Sequence, residues 1–195
     1  MNRNELEHII RAAGEIAKVR KIIIMGSQSV LGQFPNISEA LPESNHTDIS
    51  LITESREILS RSIEVDIMVP ASEEKTEIVE AAIGELSSFH DTFGYYAQGV
   101  DKSTSNLPEG WEGRLVEICN ENTYGISGLC LEIHDLIISK LYAGRKKDIE
   151  FFNAAANLGL LSSETLIERL NMTPMSNERR RIIEKRITSR GGFSQ

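Results

Sequence analysis

Two cysteines, Cys119 and Cys130, are too few for the disulfide framework of a small secreted domain, and their separation matches none of the paired zinc spacings. Four histidines scattered along the chain argue against a zinc site, and His8 and His46 have no neighbours of metal-binding type. No segment approaches the roughly 18 apolar residues that a membrane span requires. The opening "MNRNELEHIIRAAGEIAKVR" mixes charge into an amphipathic pattern and lacks the apolar run of a signal peptide. The expectation is a soluble, cytoplasmic protein with reduced thiols. Positive charge is also short: 21 Lys and Arg face 29 Asp and Glu, a net charge of -8 that excludes a broadly basic nucleic-acid-binding surface. The tail is the exception. From Ser176 to Gln195 six basic residues, Arg179, Arg180, Arg181, Lys185, Arg186 and Arg190, stand against Glu178 and Glu184.

With 195 residues and 40% hydrophobic content, the chain can bury one substantial core. Helical spacing of Leu6, Ile9, Ile10, Ala13, Ile16 and Ala17 predicts an opening helix, followed by a strand in "KIIIM". In "SIEVDIMVP" Ile63, Val65, Ile67 and Val69 alternate with Glu64, Asp66 and Met68 until Pro70, which predicts a strand. "DISLITESREILSRS" reads equally as strand or helix. Residues 73–86 read as a helix and "RLVEIC" as a third strand, and after Gly128 the pattern is helical. These elements predict an α+β fold: a mixed β-sheet core flanked by helices over residues 1–127, then a helical part with a basic tail over 128–195.

The turn "GSQSVLG" fails as a phosphate loop of either common type. Gly32 follows Gly26 at the wrong spacing for G-x-x-x-x-G-K-[ST] and is succeeded by Gln33, and G-x-G-x-x-G is absent. A strand, a Gly-Ser turn and a short helix still suit a phosphate, because glycine permits close backbone approach and serine supplies a hydroxyl. The same residues also make an ordinary turn and helix cap. Downstream, Glu64 and Asp66 are two apart on a predicted strand, so both carboxylates leave the same face. Two hard oxygen donors so placed can seat Mg²⁺, with Mn²⁺ as a substitute, although a solvated strand face would carry the same pair.

Two further groups carry chemistry. "HDLIISKLYAGRKKD" places His134, Lys140, Tyr142, Arg145 and Asp148 where some share a helix face, and Lys and Arg suit phosphate; Lys146, Lys147 and Glu150 read as a solvated face. In "SFHDTFGYYAQG", His90, Asp91, Tyr95, Tyr96 and Gln98 could line a pocket in which a base stacks on an aromatic ring, while Phe89, Phe93 and Tyr96 equally read as core. Tyr95 is the candidate nucleotide-stacking residue.

The Gly-Ser turn followed by an acid-x-acid strand resembles the polymerase-β-like nucleotidyltransferase superfamily. "GSQSVLGQFP", "IEVDIMVP", "AIGELSSFHDTFGYYAQGVD", "LPEGWEGRLVEI" and "LEIHDLIISKLYAGRKKDIEF" resemble the DUF6036 nucleotidyltransferase-like family, related to the AbiEii toxin group, over most of residues 21–170. The resemblance implies that Gly26 and Ser27 hold the triphosphate of an NTP and that Glu64 and Asp66 bind magnesium. Lys140 would contact nucleotide phosphate, with Asp148 orienting Lys140 or Arg145. It also implies transfer of a nucleoside monophosphate to an acceptor such as RNA or tRNA, held by the basic tail, and an antitoxin or other protein partner. The alternative is a catalytically inactive module of the same fold acting through protein partners. Thirty-six residues separate Ser27 from Glu64, more than the superfamily pattern has, so residues 36–48, or the stretch "NHTDISLITES", read as an insertion or an additional strand. Asp48 and Glu117 are the candidates for a third carboxylate.

Overall fold

The computed structural model describes residues 1–37 and 49–189. The first helix, α1 (Arg3–Ala17), starts at a reciprocal cap in which Glu5 N–H donates to Asn2 Oδ1 and Asn2 N–H to Glu5 Oε2. It buries Leu6, Ile9, Ile10 and Ala13, the stripe set by its sequence period. Strand β1 (Lys21–Ile24) follows, then a 3₁₀ turn at Ser27–Ser29 that leads into the short α2 (Val30–Gln33). The segment with two readings is helical: α3 spans Ile49–Ser60 and packs on a later helix, α7 (Lys146–Asn157). The additional strand is therefore not formed by residues 49–60, and Asp48 lies outside the described residues.

The remaining elements are β2 (Glu64–Met68), α4 (Glu73–Ile83), α5 (Ser88–Phe93), β3 (Tyr96–Gly99), β4 (Val116–Ile118), β5 (Ser127–Cys130), α6 (Ile133–Ala143), α8 (Ser163–Asn171) and α9 (Asn177–Thr188). Among the described residues the strands form one five-stranded mixed sheet in the order β3-β2-β1-β5-β4. β1 runs antiparallel to β2 and parallel to β5. The fold is α+β, with α6–α9 following the sheet. Ser127–Cys130 completes the sheet beside β1 before the chain turns helical.

Two glycines show which face of the sheet the helices cover. Gly128 leaves room for the Ile10 side chain of α1, and Gly99, paired with Ile67, lies against Thr76 and Glu80 of α4. Val65 and Ile67 therefore point into the core beneath α1 and α4, and alternation turns Glu64 and Asp66 to the opposite face. The core continues through the last helices, with Phe152, Leu166 and Ile187 all buried. Phe152 is wholly buried on α7, the helix that also supplies Asp148 to the site below. Phe152→Ala is expected to cost about 3–5 kcal/mol in urea unfolding through lost burial and an unfilled cavity.

Candidate functional site

The turn after β1 is built around one close approach. A Cβ on Gly26 would lie 1.6 Å from Asp66 Oδ2, so the Asp66 carboxylate occupies space that any other residue at 26 would fill. Met25 N–H donates to the Asp66 carbonyl at 2.9 Å, which continues the β1–β2 ladder to the turn. Beyond the glycine, Ser29 Oγ donates to Ile24 O at 2.7 Å and Gln28 Nε2 to Ser62 O at 3.2 Å. The turn is thus pinned to the start of β2, and the long intervening segment does not keep the two halves apart.

Glu64 and Asp66 project side by side, and β3 supplies polar partners. Tyr96, level with Glu64, donates its hydroxyl to Glu64 Oε2 at 3.0 Å. With its amide nitrogen turned inward, Gln98 donates to both Glu64 oxygens at 3.1 and 3.2 Å. Burial, then the neighbouring Glu64, push Asp66 up to about 6. Burial and the bond to Glu64 push the Tyr96 phenol up to about 12.

The cationic side comes from α6 and α7. Lys140 Nζ donates to Ser27 Oγ at 2.9 Å, sits 3.7 Å from Asp148 Oδ1 and lies 4.5 Å from the centre of the Phe151 ring. Burial lowers its pKa, and the charges of Asp148 and Asp66 oppose that shift. Asp148 is fully buried and caps α7 by accepting from Arg145 N–H at 3.2 Å. It also accepts from the Arg145 guanidinium at 2.7 and 3.2 Å. Burial acts to raise Asp148, but Arg145 and Lys140 hold it below the usual carboxylate range.

A cavity of about 820 Å³ joins these groups, with Gly26, Ser27, Glu64, Asp66, Lys140 and Arg145 in its wall. That volume is enough for a nucleotide. Asp148 stands behind the wall, 3.7 Å from Lys140 Nζ and 2.7 Å from Arg145 Nε. Tyr95 is placed elsewhere. Its hydroxyl meets His8 Nδ1 at 2.8 Å and its ring packs with Phe89 and Phe93, because alternation on β3 turns Tyr96 and Gln98, not Tyr95, toward Glu64. Glu117 lies on edge strand β4, three strand spacings or about 14 Å from β2, and accepts from Ser127 Oγ at 2.5 Å. Lys147, read as solvated from sequence, lines the cavity and favours ionised Asp66; Lys146 stays exposed beside Glu150. Ser62, Ser139 and the loop 102–106 also line the cavity, and no sequence motif marked them.

The profile of a family described as nucleotidyltransferase of unknown function (DUF6036) matches residues 4–187. The chain belongs to this DUF6036 family. No curated protein and no solved structure matches it. Membership makes it a nucleotidyltransferase-family protein, for which an NTP substrate and a metal cofactor are implied.

The DUF6036 site has a donor set that fits a hard divalent cation. Two carboxylates line an open, polar cavity, and neither is bonded to a Lys or Arg side chain of the described residues as Asp148 is to Arg145. Among the described residues no group of three or more His, Cys, Asp or Glu side chains is arranged for a metal. Other oxygens would therefore have to complete an octahedral shell, as water and substrate phosphate do for Mg²⁺. Among the same residues no helix is long and apolar enough to cross a membrane.

Two outcomes follow for the metal-free and metal-bound states. Because the folded pKa of Asp66, about 6, exceeds the ordinary 3.8 of an aspartate, the folded state binds the extra proton between those values, and stability falls as pH rises through them. In chelator, Asp66→Asn is expected to be about 3 kcal/mol more stable than the parent near pH 8, the gain shrinking to about 0.5 kcal/mol or less near pH 4, by urea unfolding. Gly26→Ala should displace the Asp66 carboxylate and weaken Mn²⁺ binding, read by electron paramagnetic resonance, by about tenfold or more.

Proposed function

We propose that this DUF6036 protein is a Mg²⁺-dependent nucleotidyltransferase that moves a nucleoside monophosphate from an NTP to an acceptor. The observation that carries the reading is the meeting of Ser27, Lys140 and the Glu64–Asp66 pair in one cavity. Lys140 already donates to Ser27 and needs little rearrangement to reach a phosphate oxygen there. Arg145, with 62% of its side chain exposed while Asp148 fixes its fork, is poised for a second phosphate contact. Glu64 and Asp66 would hold the ion, Glu64 being oriented by Tyr96 and Gln98. A bound Mg²⁺ supplies neutralisation of triphosphate charge and activation of the attacking oxygen. Residues 1–127 would then contribute the acids and the turn, and residues 128–195 the cations.

Support for an RNA or tRNA acceptor is weaker. The Arg179 guanidinium donates to Tyr142 O, and Arg180 donates to Leu170 O and Thr173 O, so two charges of the basic tail serve helix ends. The second reading, a nucleotide-binding module without turnover, is favoured by the two-carboxylate site.

Calorimetric titration with each NTP, with and without Mg²⁺, and transfer assays with α-³²P-labelled NTP separate these readings. Mg²⁺-dependent NTP binding is expected, weakened about tenfold or more by Lys140→Ala. Transfer should fall about 10²–10³-fold in Asp66→Ala. Binding without transfer to RNA, protein or small molecules would select the inactive module. Loss of neither binding nor transfer in these variants would sink the site assignment.

A further inference from the structure

The candidate site adjoins a second cavity of about 690 Å³, and Val100, Lys102 and Ser103 belong to the walls of both. It lies at the C-terminal ends of β2 and β3, where Met68 and Val100 extend the sheet face that carries Glu64, Asp66 and Gln98. A molecule seated there lies alongside the acids, at the other end of β2 from Ser62 and the Gly-Ser turn it anchors.

The chemistry of the second cavity differs from that of the first. Its floor is apolar, from Met68, Val69 and Val100, and Glu73 and Asp101 add carboxylates to its wall. Lys102 alone is cationic among the described residues lining it, and Lys102 is already paired with Glu112 at 3.2 Å. The adjoining start of α4 does not favour an anion. Ser72 Oγ accepts from Lys75 N–H at 3.3 Å, Ser72 O accepts from Thr76 N–H at 3.2 Å, and Glu73 and Glu74 occupy the first turn.

We propose, resting on the nucleotidyl-transfer reading, that this second cavity seats the acceptor, and that the acceptor is a compact hydroxyl-bearing molecule, neutral or cationic, rather than an RNA. The volume suits a small molecule of a few rings. A polyanion would bring phosphates against Glu73 and Asp101 with one already paired lysine to receive them. In the transfer step the acceptor oxygen bonds to the α-phosphorus of the NTP and the bond from that phosphorus to pyrophosphate breaks. Pyrophosphate departs on the Ser27–Lys140 side, and the hydroxyl proton passes to water.

A charge-graded probe set tests this on the full-length protein. Glucosamine, glucose, glucose 6-phosphate and a short RNA oligonucleotide are compared by saturation-transfer NMR, each with and without Mg²⁺ and a non-hydrolysable NTP analogue. Glucosamine is expected to bind best, glucose next, glucose 6-phosphate about fivefold or more weaker than glucosamine, and RNA least. Glu73→Lys should shift the glucosamine to glucose 6-phosphate ratio about fivefold or more toward the phosphate, with affinity for the NTP analogue held within about twofold as the check on folding. Tighter binding of RNA or glucose 6-phosphate than of glucosamine, no binding of either sugar, or an order indifferent to Glu73→Lys overturns the acceptor assignment. Failure of the NTP analogue to bind with Mg²⁺ overturns the nucleotidyl-transfer reading instead, and the nucleotide-free arm still decides the charge order.

Discussion

The Asp66 carboxylate fills the volume where a Cβ at position 26 would be, and the site is organised around that contact. It requires β1 and β2 to be adjacent and antiparallel, with Met25 N–H on the Asp66 carbonyl, and it brings the acid within reach of the turn that carries Ser27. Alternation then places Glu64 on the same face, so two carboxylates share a half-buried surface. Elsewhere in the fold a buried acid is treated differently. Asp135 receives the Arg114 guanidinium at 2.8 and 3.1 Å and has Arg169 Nε at 3.3 Å, two cations for one carboxylate. At Glu64 and Asp66 no guanidinium of the described residues is bonded to either acid, and the buried ammonium nearby, Lys140, is shared with Asp148 while Lys147 acts on Asp66 from the cavity wall. Paired acids in a polar cavity, without a guanidinium bonded to either, are the kind of donor set that a divalent cation of the family's chemistry could use.

The acid pair was legible because β2 has one core face. Val65 and Ile67 must be buried, and that alone fixes where Glu64 and Asp66 point. The sequence "FGYYAQG" has no such period, so choosing between Tyr95 and Tyr96 required the register of β3 on β2, which pairs Glu64 with Tyr96. Lys146 and Lys147 posed the same problem on a helix. They are separated by about 100° of rotation, and only the packing of α7 beside α6 and α3 decides which of them faces the cavity. The reading of α3 stayed open because its buried stripe is narrow, Ile52, Ser55 and Leu59, while Ile49 and Leu51 are exposed and blur the helical period.

Counting charge along the chain does not show which of the tail's cations are already engaged, for a related reason. A run of arginines is basic in sequence, yet each guanidinium carries several donors, and unsatisfied carbonyls at helix ends attract them as phosphate would. Arg180 joins the start of α9 to the end of α8, and Arg179 joins it to the end of α6, which carries Lys140.

The position of Lys140 is accordingly fixed from both ends of its helix. At the C-terminus Arg179 holds the Tyr142 carbonyl. At the N-terminus Glu132 caps the His134 N–H at 3.0 Å, while Ile133 N–H donates to Gln33 Oε1 at 2.6 Å. Gln33 ends the short helix that begins just after the Gly-Ser turn, so the segment 26–33 both accommodates Asp66 and anchors the start of α6. A displacement of that segment would move the acids and the lysine together. Holding cation and carboxylates to one piece of backbone keeps their separation constant, which is the geometric condition for catalysis by positioning and charge stabilisation.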